Sequence, residues 1–138
     1  MAGLSAFLHP ELPEEEDVIV SRRFVEDGKP IAFRVRPITQ EENQQLIKQH
    51  TKVVKKGGLT ERKLDSERYV NALIVAGTVF PDFRAKELCE AYGTLDPLQV
   101  PGKMLLAGEY QKLSDAIMSL SGLSDDAAEE EAEEAKNS

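Results

Sequence analysis

The stretch that decides the fold runs from Tyr69 to Leu113. It reads YVNALIVAGTVFPDFRAKELCEAYG over residues 69–93 and DPLQVPGKMLLAGEYQKL over 96–113. Val70, Ala72, Leu73, Ile74, Val75, Ala76 and Val79 leave almost no polar face, which predicts a central helix from Tyr69 to Phe80, buried on most sides. Pro81 stops it, because proline disfavours helical geometry at the preceding residue. Asp82 is suited to cap a helix from Phe83 to about Tyr92, which Gly93 ends in the left-handed conformation. Asp96-Pro97 repeats the punctuation and opens a segment kept short or kinked by Pro101-Gly102. A last helix is expected from about Gly108 to Ser121, where Tyr110, Leu113, Ile117 and Leu120 recur at helical spacing before Gly122.

Upstream of this block, Val18–Phe24 and Ile31–Arg36 read as two strands. In the second, Ile31, Phe33 and Val35 alternate with Ala32, Arg34 and Arg36. Glu26-Asp27-Gly28-Lys29 supplies the turn of a β-hairpin, and Pro30 fits only a strand start or an edge. A two-stranded hairpin is marginal in water, so it must pack on helices or gain another strand. Thr39 and Glu42 form a capping-box pair that opens a helix reaching about Val54. The following KKGGLTERKL reads as a basic mobile loop broken at Gly57-Gly58, and Asp65 is the N-cap of the central helix. The expected fold is therefore α+β but predominantly α-helical: an N-terminal hairpin packed on a bundle of four to five short helices.

The chain has 138 residues and a net charge of -8, unevenly placed. Residues 1–17 carry five acids and no base, and residues 123–138 carry seven acids against Lys136 alone. Residues 18–122 hold 13 acids and 16 bases, a net of +3. Three segments follow: a flexible acidic N-terminal segment (1–17), a globular domain (18–122) and a disordered acidic tail (123–138). Leu4, Phe7 and Leu8 suffice for one amphipathic turn, either mobile or a docking segment. No apolar run approaches the ~20 residues of a membrane span. The acidic start is unlike a secretory signal, and the single Cys89 suits a reducing cytoplasm.

Catalytic chemistry finds no convergent set. His9 and His50 lack partners, Cys89 beside Leu88 reads as a buried thiol, and Glu87, Glu90 and Asp115 read as solvated helix faces. No phosphate-binding loop or nucleophile elbow is present. No enzyme activity, metal or cofactor is expected. The basic residues of the 52–63 loop could meet nucleic acid phosphates. Without interleaved aromatics, a solvated linker is the better reading, and a nucleic-acid-binding regulator the weaker one.

The block resembles the XkdN-like tail assembly chaperones of long-tailed bacteriophages and defective prophages of Gram-positive bacteria. The resemblance is carried by Leu4-Ser5-Ala6-Phe7-Leu8, Arg36-Pro37-Ile38-Thr39 with Glu41-Glu42, Arg68-Tyr69 and Val79-Phe80-Pro81-Asp82. It continues through Glu87-Leu88, Tyr92-Gly93, Met104-Leu105 and Gly108-Glu109-Tyr110, nearly the whole chain except the acidic tail. Pro101-Gly102 and that long tail depart from the pattern.

The resemblance implies a non-enzymatic assembly factor in the host bacterial cytoplasm, absent from the mature virion. It would coat the tape measure protein in many copies, self-associating along it, and recruit tail tube protein. The expected partner-binding surface is the helix pair 83–92 and 108–121, with Phe83, Leu88, Tyr92, Tyr110 and Leu113 as contacts and Phe7 as an added anchor. Such families often extend their product by frameshifting, and Ala135-Lys136-Asn137 permits a slippery heptamer through the codons GCA AAA AAC. A structural tail or connector component of the virion is the alternative reading.

Overall fold

A computed structural model describes residues 3–11 and 13–123. Its elements in chain order begin with α1 (Ser5–Leu8), β1 (Glu16–Val18), β2 (Val25–Glu26), β3 (Lys29–Pro30) and β4 (Phe33–Val35). There follow α2 (Gln40–Gln49), β5 (Thr51–Lys56), β6 (Leu59–Leu64), α3 (Ser66–Gly77) and β7 (Thr78–Phe80). The chain then forms α4 (Lys86–Ala91), a single 3-10 turn at Pro97–Gln99, α5 (Val100–Met104) and α6 (Ala107–Leu120).

This corrects the expected helical bundle. Among the described residues six helices and seven strands in three small sheets give 45% helix and 21% strand, a mixed α+β fold. Three departures account for it. The expected Val18–Phe24 strand is irregular after Val18 and the expected turn closes the separate β2–β3 pair, while β1 and β7 flank β4 in a main sheet of order β1-β4-β7, antiparallel throughout. The central helix therefore stops at Gly77, before Pro81, and Thr78–Phe80 pairs with Arg34 and Val35 instead. The helix expected to reach Val54 stops at Gln49, and the expected mobile loop is a second hairpin, β5–β6, in register from Thr51↔Leu64 to Lys56↔Leu59. The Phe83–Tyr92 helix is shorter than expected: Asp82 accepts from the Arg84 N–H at 3.0 Å in a turn, and α4 begins only at Lys86.

Other local expectations survive intact. Thr39 and Glu42 make both halves of the capping box, and the Asp65 side chain accepts from the Arg68 N–H. Cys89 is buried, its Sγ 3.4 Å from the Phe83 carbonyl. β1 begins at Glu16, so the last two residues of the N-terminal acidic segment join the sheet.

The core lies between the inner face of the main sheet and the helices. Phe33 and Val35 point inward from β4 against Leu73, Ile74 and Val75 of α3 and Leu113 and Ile117 of α6. Phe83 and Val100 complete it, both fully buried. Where α3 approaches α6, Gly77 leaves no room for a side chain: a Cβ there would meet Ile117 Cγ2 at 2.6 Å. Two long-range contacts fasten α6 at its ends. Glu109 in its first turn binds Arg23, and Ser121 at its C-cap accepts from the Ile38 N–H at 2.8 Å.

Candidate partner-binding surface

The sequence-derived contacts separate into two groups. Phe83 and Leu113 are fully buried and hold the core, so they offer no surface. Leu88, Tyr92 and Tyr110 are half-buried and pack against that core. The Tyr110 hydroxyl donates to Asn71 on α3 at 2.6 Å, and burial raises its pKa above the usual tyrosine value. The helix pair therefore turns its apolar faces inward and shows Lys86, Glu87, Gln111 and Lys112 to solvent. Phe7 is different: α1 has no buried residue, and Phe7 is 77% exposed beside Leu4 and Leu8.

The apolar surface lies mostly elsewhere. A groove of about 520 Å³ runs between the small β2–β3 hairpin and β7, lined by Phe24, Val25, Ile31, Phe33, Phe80 and Pro81. Local sequence builds each wall. Asp27 and Gly28 take positive φ in the two-residue turn of β2–β3, holding Val25 opposite Pro30. Edge pairing of β7 on β4 leaves Phe80 56% exposed at the opposite wall.

One end of the groove is charged and rigid. Arg23 gives two hydrogen bonds to the Glu109 carboxylate, at 2.9 and 2.5 Å, and one to the Met104 carbonyl at 3.1 Å. Its guanidinium also lies over the Phe24 ring, 4.9 Å from the centroid, and Phe24 in turn meets Phe33 at 5.7 Å. The Arg23 hydrogen bond holds the Glu109 carboxyl down at about 2, helped by donation from the Leu106 N–H. Such a bidentate pair fixes the rim and orients the aromatic floor. The arrangement suits docking of an apolar segment and offers no reacting group.

A second surface is the β5–β6 hairpin, whose apolar Val53, Val54 and Leu59 and basic Lys55, Lys56 and Arg62 are all exposed. Ile47 and Lys48 of α2 join Val53 and Arg62 in a groove of about 850 Å³ at its base. The basic 52–63 segment reads from sequence as a solvated loop that could meet phosphates, whereas the groove beside β7 was not anticipated. Phe80 reads as core because it continues the apolar run of the central helix. The arm looked like a loop because it has no buried face to impose alternation.

Among the described residues no group of three or more His, Cys, Asp or Glu is placed to hold a metal, and no helix is long and apolar enough to cross a membrane. The Ala135-Lys136-Asn137 segment and nearly all of the acidic tail lie outside the described residues.

Comparison with known proteins gives one consistent picture. The family model for phage XkdN-like tail assembly chaperone proteins matches residues 4–136, so the match runs into the acidic tail that sequence motifs had left out. The phage-like element PBSX protein XkdN of Bacillus subtilis (strain 168) is 41% identical over 128 residues, spanning 90% of this chain and 85% of that protein. YqbN of the same strain is 40% identical over the same shares. A crystal structure of YqbN superposes with a TM-score of 0.76 at 33% identity, covering 90% of this chain and 99% of that one.

Proposed function

The chain belongs to the phage XkdN-like tail assembly chaperone family, and from that premise we propose that it binds the tape measure protein and recruits tail tube subunits during assembly. It acts without catalysis, in the host cytoplasm, and leaves before the virion is mature. The observation that carries this reading is the apolar groove between β2–β3 and β7, because chaperoning a long helical protein requires apolar surface held open on a stable body. Phe80 and Val25 are its exposed anchors, and the Arg23–Glu109 pair keeps its end from collapsing. Phe7 on α1 is a further anchor, with Leu88, Tyr92 and Tyr110 serving as partly exposed contacts on the helical side. Several copies along one tape measure protein would make weak individual contacts sufficient.

The test is co-expression with a tape measure protein. Wild-type chain should raise its soluble yield several-fold, and Phe80→Asp or Val25→Asp should remove that gain. Both variants should fold, since each side chain is more than half exposed. An equal soluble yield with and without the chain would overturn the reading.

A structural place in the virion is the second reading, favoured by the seven strands among the described residues where the sequence led to the expectation of a single hairpin. Mass spectrometry of purified tails decides between them: stoichiometric amounts of this chain in mature particles would favour the structural reading.

A further inference from the structure

We propose that the β5–β6 arm is a docking surface whose occupant is the chain's own acidic C-terminal segment, residues 124–138, folded back in cis. The face of the ladder that carries Lys52, Lys56 and Lys63 holds the single acid Glu61, and Lys55 and Arg62 lie on the opposite face. Among the described residues Lys52 pairs with Asp65 at 3.6 Å, and the other four cations make no ion pair. Lys52 and Lys63 stand directly opposite each other in the ladder, a repulsive arrangement that an anionic partner relieves. Val54 and Leu59, on the same face, add exposed apolar surface.

The C-terminal segment has the matching chemistry. It holds seven acids between Asp125 and Glu134, and Lys136 as its only base. The acids of the N-terminal segment fit less well, because Glu15 and Asp17 already bind Arg34 at 2.8 and 3.0 Å on the outer face of the main sheet.

Geometry allows the contact within one molecule. The segment departs from the end of α6, where Ser121 is bonded to Ile38, next to the Thr39 cap of α2. The arm begins at the other end of α2, about 15 Å away along ten residues of helix. Fifteen extended residues reach about 50 Å, so the acids can lie along the arm with chain to spare. Isolated surface ion pairs are weak, but a tether of this length gives an effective concentration on the order of millimolar, which populates a contact made of several.

The test places a nitroxide label at the C-terminus through Ser138→Cys, with buried Cys89 left in place, and reads amide signal intensities of the isotope-labelled full chain. At about 25 mM salt the amides of residues 52–63 should lose intensity to the label, and at about 0.5 M they should recover. The same loss should vanish with Lys56→Glu and Lys63→Glu combined, both on that face. It should also vanish with Glu129, Glu130 and Glu131 changed to Gln, a variant that leaves the body untouched.

Mixing isotope-labelled chains without nitroxide and nitroxide chains without isotope should give no loss. Undiminished arm signals at low salt would overturn the proposal, and so would comparable loss in the mixed sample, which would make a second copy the occupant. No tape measure protein enters the measurement, so its outcome is independent of the assembly function.

Discussion

Gly77 is set by Ile117, not by any turn. Its backbone is helical, and the missing side chain is what lets α3 and α6 come together. Gly77→Ala should destabilise the fold by about 1–3 kcal/mol, the usual range for overpacking. In a double-mutant cycle the penalty should shrink when Ile117 is also cut to Ala, because the three nearest atoms to the added Cβ all belong to the Ile117 side chain. Phe83→Ala and Leu113→Ala should each cost about 2–5 kcal/mol in denaturant unfolding, as core residues do.

Two glutamates give the fold its acid sensitivity. The Arg36 hydrogen bonds hold the Glu42 carboxyl at about 2 against an ordinary 4.5, and Arg23 does the same for Glu109. A depressed folded-state pKa contributes stability that is fully present above about 4.5 and lost as pH falls toward 2. Urea unfolding midpoints should therefore decrease as the pH is lowered from about 5 to about 2.5. Glu42→Gln should flatten part of that slope.

At the scale of elements, the capping signals were legible and the strands were not. Thr39, Asp65, Gly93 and Gly122 were read correctly because a cap is local chemistry, complete within four residues. The β7 strand was hidden inside an apolar run. Thr78-Val79-Phe80 continues the hydrophobic helix pattern without interruption, and only its pairing with Arg34 and Val35, more than forty residues away, turns it into a strand. The β5–β6 arm was missed for the opposite reason. Its two strands are almost wholly exposed, so the signal lies in the ladder and in Gly57-Gly58, both at positive φ, and a glycine pair within a basic run reads equally well as a break in a loop. Replacing both with Ala should cost the arm on the order of 2 kcal/mol through left-handed strain. Cross-strand nuclear Overhauser effects between Val53 and Arg62 should then weaken while the melting temperature of the body stays unchanged. The apolar groove was illegible because it is made by three elements, none of which shows from its own residues that it borders the others.

Across the whole molecule, family membership was readable from ordered motifs, while the architecture that carries them came out with a different balance of helix and strand. The motifs are helix punctuation, and they specify the order of elements more firmly than the sheet that joins them. That sheet has a temporal consequence. Its middle strand, β4, forms early in the chain, yet its second neighbour, β7, is made only after α2, the arm and α3. The two fasteners of α6, Arg23 to Glu109 and Ile38 to Ser121, span 86 and 83 residues. A chain still emerging from the ribosome with only its first 77 residues outside has β1, β4 and α3 but neither the third strand nor α6, the other helix that covers them. Folding must wait until α6 has emerged, since contacts this distant in sequence reward the chain only once both partners are present. A member of a tail assembly chaperone family thus passes through an interval in which its own apolar face is only half covered.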